Sequence, residues 1–146
     1  MKVHPFSPLL MRPMPGAPPH QLPLFLERVH CGFPSPAADY VERRLDLNKH
    51  LVAHPNATYF VRVEGDSMRD ANISEGDLLV VDSALDAKHG DIVVAAINGE
   101  FTVKRLQQFP RVQLLAMNPR YAPITPAEDE QLEIFGVVTF IIYAAR

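Results

Sequence analysis

Proline fixes φ near about −65° and has no backbone N–H to donate, so a proline-dense stretch can be neither a helix nor a central strand. Nine of the chain's 14 prolines fall in its first 36 residues: Pro5, Pro8, Pro13, Pro15, Pro18, Pro19, Pro23, Pro34 and Pro36. The first acidic residue is Glu27, and 16 of the 17 acids lie beyond residue 34. The chain therefore has two compositions. An extended, nearly uncharged arm covers residues 1 to about 34, and a folded domain follows.

Composition narrows the function classes. At 146 residues, 47% hydrophobic and 21% charged, the chain is expected to form one ordinary globular domain. A single cysteine, Cys31, excludes a disulfide framework and a thiolate zinc site, and no metal or cofactor is expected. The net charge of −3 argues against a nucleic-acid binder. The apolar runs Leu9–Met11 and Leu24–Leu26 are shorter than the roughly 7 to 15 residues of a secretory signal. No run approaches the roughly 18 apolar residues of a membrane span. A cytoplasmic protein with no membrane attachment is expected.

Ser35-Pro36 reads as a helix start, Ser at the N-cap and Pro at the first helical position. That helix would run through Ala37, Ala38, Val41 and Leu45. A second short helix would begin at Asp46 and cover Leu47 to Val52, ending before Pro55. Strands are predicted at Thr58–Glu64, Leu78–Val81, Ile92–Ile97, Glu100–Leu106, Val112–Met117 and Ile134–Tyr143. Asn98-Gly99 between two of them is a hairpin turn. The sum is a mostly β, largely antiparallel domain.

Three places could carry chemistry. Ser67 follows a strand exit and Gly65, where a helical turn would present backbone N–H groups to an oxyanion. The alternative is that Ser67 merely caps that turn. None of the histidines His4, His20, His30, His50, His54 and His89 is placed by spacing as its base. Lys104 lies inside a predicted strand, where lysine is depleted. Only about one lysine in 2,500 is neutral at pH 7 in water, but burial lowers the pKa by up to roughly 3–5 units and yields a general base. The alternative is an edge-strand lysine with its head in water. Cys31-Gly32, two small residues after Val29 and between prolines, has the form of a cleavable extended peptide.

Together these places match one family. Ser67, Met68, Asp70, Ile73, Gly76 and Asp77 fill the pattern S-M-x-D-x-x-I-x-x-G-D. Thr102-Val103-Lys104-Arg105-Leu106 fills T-V-K-[RK]-L, and Val29-His30-Cys31-Gly32 fills V-x-[AC]-G. The chain resembles the UmuD-type SOS mutagenesis proteins, within the LexA-like autoproteolytic group, over about residues 22–146. Cys rather than Ala before the glycine, and the run Phe33–Glu42, point to the UmuD branch.

The resemblance implies a LexA/signal-peptidase-like antiparallel β domain with one or two short N-terminal helices and an extended N-terminal arm. It implies Ser67 as nucleophile, Lys104 as general base, and backbone N–H groups of Ser67 and Met68 for the oxyanion. Cys31-Gly32 is then the bond cleaved, dividing the chain into an arm, 1–31, and a processed Ser/Lys peptidase domain, 32–146. The implied partners are a second copy of the chain, a RecA–single-stranded DNA filament that stimulates cleavage, and a UmuC-type Y-family polymerase. Losing Lys2, Arg12, Glu27 and Arg28 removes a net +2 and leaves the product at −5, which favours protein partners over DNA. A LexA-like repressor would need a helix-turn-helix domain, for which the arm is too short and too rich in proline. A dimeric partner module that does not cleave itself is the other alternative. Residues 1–21 match nothing in the UmuD pattern.

Overall fold

The computed structural model describes residues 10–19, 21–24, 31–32 and 43–146. Within them lie nine strands: β1 (Leu10–Met11), β2 (Gln21–Leu24), β3 (Arg43–Asp46), β4 (Thr58–Arg62), β5 (Leu78–Asp82), β6 (Ile92–Ile97), β7 (Glu100–Gln107), β8 (Gln113–Leu115) and β9 (Leu132–Ile142). One short helix, α1 (Leu47–Leu51), and two single 3-10 turns complete the description. A seven-stranded antiparallel sheet runs β1-β4-β5-β9-β6-β7-β8, and β2 pairs with β3 alone.

The expected β-rich antiparallel fold is borne out, and β6 spans Ile92–Ile97 as read from its apolar run. The β6–β7 hairpin turns at Asn98 (φ 51°) and Gly99 (φ 84°). Both residues sit in the left-handed region that a two-residue hairpin demands. Helix α1 begins as expected, with Asp46 Oδ1 accepting from the Asn48 N–H at 3.0 Å.

The first expected helix is corrected. Its start, Ser35 to Glu42, lies outside the described residues. Its end does not continue as helix: Arg43–Asp46 is strand β3, paired in register with Gln21–Leu24, so that Leu22 faces Leu45. A nonlocal ladder overrides local helix propensity there. The arm's prolines obey their rule all the same. Strand β1 is an edge of the main sheet, and β2, which contains Pro23, lies in a two-stranded ribbon.

The sheet curls. Register shifts in β9 against β5 at Val80/Val81 and against β6 at Val94/Ala95 mark bulges, which increase local twist. Gly136 lies between them with no room for more: a Cβ there would sit 2.7 Å from Val81 Cγ1 and 3.1 Å from the Asp82 carbonyl oxygen. The curl brings β4 and β7, three strands apart in the sheet, to opposite sides of one core. That core holds Tyr59, Val61, Met68, Ile73 and Leu79, with Phe101 and Val103 packed against it. A second cluster, Val93, Ala95, Leu106, Leu114 and Val137, fills the space under β8.

Candidate active site

Between β4 and β7 lies a cavity of about 280 Å³. The end of β4 with its continuation to Gly65 forms one wall, β7 from Phe101 to Lys104 forms the other, and Ser67 and Met68 lie at its margin. Among the described residues no histidine lines it. His54 instead pairs with Asp82 at 2.6 Å, at the far end of β4, where Thr58 faces Asp82. Among the described residues no Ser/His/Asp arrangement is present in this cavity.

The loop carrying Ser67 is fixed by the residues around it. Gly65 has φ 82°, which turns the chain out of β4. Val63 then closes the loop with two backbone bonds: its N–H donates to the Asp77 carbonyl at 3.0 Å, and its carbonyl accepts from Gly76 N–H at 2.9 Å. Met68 and Ile73 bury their side chains, Ile73 completely. Asp77 is also buried, and its Oδ2 accepts from Ser74 N–H at 2.8 Å. The motif read from the sequence is thus in large part a scaffold. Its serine is half-buried, and the apolar and turn residues hold it in place.

Ser67 is not a cap. The 3-10 turn Arg69–Ala71 starts after Met68 and has no side-chain cap bond. The Ser67 hydroxyl is engaged by Lys104 instead, with Nζ 2.9 Å from Oγ. Nor is Lys104 an edge lysine in water, since only 8% of it is exposed. The pleat of β7 buries Lys104 and turns its neighbour Arg105 outward. Lys104 Nζ also donates to Thr102 Oγ1 at 2.9 Å and to the Val103 carbonyl at 3.1 Å. No carboxylate lies within ion-pair distance of Nζ among the described residues. Burial without a countercharge pushes the amine's pKa below its ordinary value.

The three contacts are open to either protonation state of the amine. The Val103 carbonyl can only accept. A neutral amine has two N–H donors and one lone pair. If those donors went to Val103 O and Thr102 Oγ1, the lone pair of a neutral amine would be left for the Ser67 hydroxyl proton. Thr102 is a site residue that the sequence reading did not single out. Its signals were its place at the head of the T-V-K-[RK]-L motif and its position two residues before Lys104, on the same face of the strand.

This geometry and the motif order meet in the comparison with known proteins. Residues 23–139 match the Peptidase S24-like family. The chain belongs to the peptidase S24-like family. Among its relatives in that family, Protein SamA of Salmonella typhimurium is 55% identical over 124 residues, 85% of this chain and 86% of that protein. Protein MucA of Escherichia coli is 52% identical over 122 residues, 82% of this chain and 83% of that protein. The LexA repressor of Bordetella pertussis is 40% identical over 140 residues; the match takes in 95% of this chain and 59% of the repressor. The kinship with UmuD-type and LexA-like proteins read from the motifs is borne out.

The S24-like chain keeps its expected cleavage point apart from the cavity. Cys31 and Gly32 are exposed, and neither lines the cavity wall. Val29 and His30 lie outside the described residues. Among the described residues no helix is long and apolar enough to cross a membrane. No cluster of three or more His, Cys, Asp or Glu side chains could hold a metal ion there either.

Proposed function

We propose that this S24-like protein cleaves its own chain between Cys31 and Gly32, with Ser67 as nucleophile and Lys104 as general base. The observation that carries the reading is the 2.9 Å contact between a half-buried hydroxyl and a buried amine with no countercharge. In the reaction the arm brings the Cys31 carbonyl to Ser67. Lys104 Nζ takes the Oγ proton as the Oγ–C bond forms, and backbone N–H groups of Ser67 and Met68 receive the oxyanion. The C–N bond then breaks. The proton on Nζ passes to the Gly32 nitrogen, and water hydrolyses the Cys31 ester. The same amine acts first as base and then as acid.

Kinship with the UmuD-type proteins supplies the setting. The protein acts in the cytoplasm in SOS mutagenesis. A RecA–single-stranded DNA filament promotes the conformation with the arm docked. The product, residues 32–146, is a homodimer that serves a UmuC-type Y-family polymerase. The arm's exposed Cys31-Gly32 fits a resting state in which docking is the controlled step.

Mass spectrometry tests the reading. Incubation with RecA, single-stranded DNA and ATP should yield a fragment beginning at Gly32, and Ser67→Ala and Lys104→Ala should each abolish it. A chain that stays intact while the filament cleaves a LexA control would leave the non-cleaving partner module as the function.

A further inference from the structure

Asn118 is 3% exposed and spends its carboxamide on the loop that carries Ser67. Its Oδ1 accepts from Arg120 N–H at 3.1 Å, which shapes its own turn. Its Nδ2 donates to the Asp66 carbonyl at 2.9 Å, across 52 residues of sequence. One residue earlier, Met117 N–H donates to the Ser67 carbonyl at 2.8 Å, and the Met117 carbonyl accepts from Asp70 N–H at 2.7 Å.

The consequence follows from the planar trans peptide, in which the carbonyl of one residue and the N–H of the next point in opposite directions. The Asp66 carbonyl shares its plane with the Ser67 N–H. The Ser67 carbonyl shares its plane with the Met68 N–H. Asn118 and Met117 therefore hold both planes by their oxygen ends. The two N–H groups face the other way, and neither has a partner among the described residues. Two adjacent, buttressed and unused donors beside Oγ are what an oxyanion requires, since preorganised dipoles need no rearrangement during the reaction. The backbone clamp at Met117 cannot be removed by a side-chain change. The clamp at Asn118 can.

From this geometry we infer that Asn118 is a positioning residue for the oxyanion site, fixing the direction of the Ser67 N–H through the Asp66 carbonyl; the inference rests on the Ser67/Lys104 reading. Asn118 touches neither the dyad nor the scissile bond. Its removal should slow the acyl step without changing the protonation of Lys104.

The test is self-cleavage of the full chain, followed by mass spectrometry across an alkaline pH series without filament. Asn118→Ser keeps an oxygen able to cap Arg120 N–H but is too short to reach Asp66. Asn118→Asp, nearly isosteric, keeps the cap and loses the donor. Each should lower the plateau rate by about 10- to 100-fold, a fraction of what losing a whole oxyanion donor costs. The pH midpoint should stay at the wild-type value, and the thermal midpoint should stay above the assay temperature. Wild-type rates in both folded variants would overturn the inference while leaving the dyad standing. So would a pH midpoint that moves with the rate, or unfolding of both variants at assay temperature, since either makes Asn118 a structural residue only. Cleavage persisting in Ser67→Ala would instead remove the dyad reading, and this inference with it.

Discussion

Lys104 Nζ and Ser67 Oγ meet at 2.9 Å across 37 residues of sequence, and the amine's remaining contacts are two oxygens of its own strand. Strand β7 therefore supplies the proposed base together with the acceptors that aim it. The serine comes from a loop held by two buried side chains, Met68 and Ile73. A hydroxyl and amine already in contact suit the proposal that control lies in delivery of Cys31-Gly32.

The first prediction concerns pH. Burial lowers the pKa of Lys104, so its neutral fraction grows as pH rises through that lowered value. Filament-free self-cleavage should climb with pH and level off before the ordinary lysine range near about 10.4. Tyr121 will not blur the profile: its bond to the Asp66 carboxylate raises its pKa and keeps it protonated at higher pH. Rates from pH 7 to 11, with circular dichroism at each point, decide the matter. A rate independent of pH in folded protein would deny Lys104 the role of base.

Thr102 gives the second prediction. Its Oγ1 accepts from Nζ, so Thr102→Val removes an acceptor that favours the charged amine and aims the neutral one. The pKa of Lys104 should fall further and the pH midpoint should move to lower pH. The plateau rate should drop by about 10-fold or more, because a misaimed base loses part of the 10²- to 10⁴-fold typical of general base catalysis. A midpoint shifted to higher pH would mean that Thr102 opposes the ammonium rather than solvating it.

Much of the fold was legible because strands announce themselves locally. The apolar run Ile92–Ile97 between turn signals, and Asn98-Gly99 after it, needed no distant partner to be read. What escaped depends on partners far away in sequence. Arg43–Asp46 is extended because Gln21–Leu24 lies alongside it, and nothing in residues 43–46 records that. At the site, propensity alone made Ser67 a cap and Lys104 a surface lysine; only their motifs, taken together, marked them. Asn118 carried no mark of its own, since its partner Asp66 lies 52 residues away.

Stability should answer to the same buried amine. With its folded pKa below its unfolded one, Lys104 binds fewer protons in the folded state between those two values. Stability then rises with pH across that window. Below the folded pKa its burial is a constant penalty. Lys104→Met, similar in length and uncharged, should therefore raise Tm at pH 7, and the gain should shrink as pH rises toward the ordinary lysine range. Calorimetry of both proteins at pH 7 and pH 10 measures it. A Tm difference that widens with pH would show that the amine is not desolvated in the fold.

The arm provides the last prediction. Among the described residues the arm meets the domain at three places: Leu10 and Met11 pair with Val61 and Phe60, Gln21–Leu24 pairs with Arg43–Asp46, and Arg12 reaches Tyr59, donating to Oη at 2.6 Å with its guanidinium 5.0 Å from the ring centre. Among the described residues, every member of the two buried clusters lies from Tyr59 onward. Residues 32–146 should therefore fold without the arm. The lost Arg12 hydrogen bond and cation–π contact alone amount to about 1–2 kcal/mol, and the β1–β4 and β2–β3 ladders are lost with them, so Tm should fall by at least several degrees for a domain of this size. Scanning calorimetry of the 32–146 chain should show one cooperative transition, with the Lys104–Ser67 contact intact. A fragment lacking a cooperative transition would place the arm inside the folding unit, and cleavage would then be a step toward unfolding rather than toward a working product.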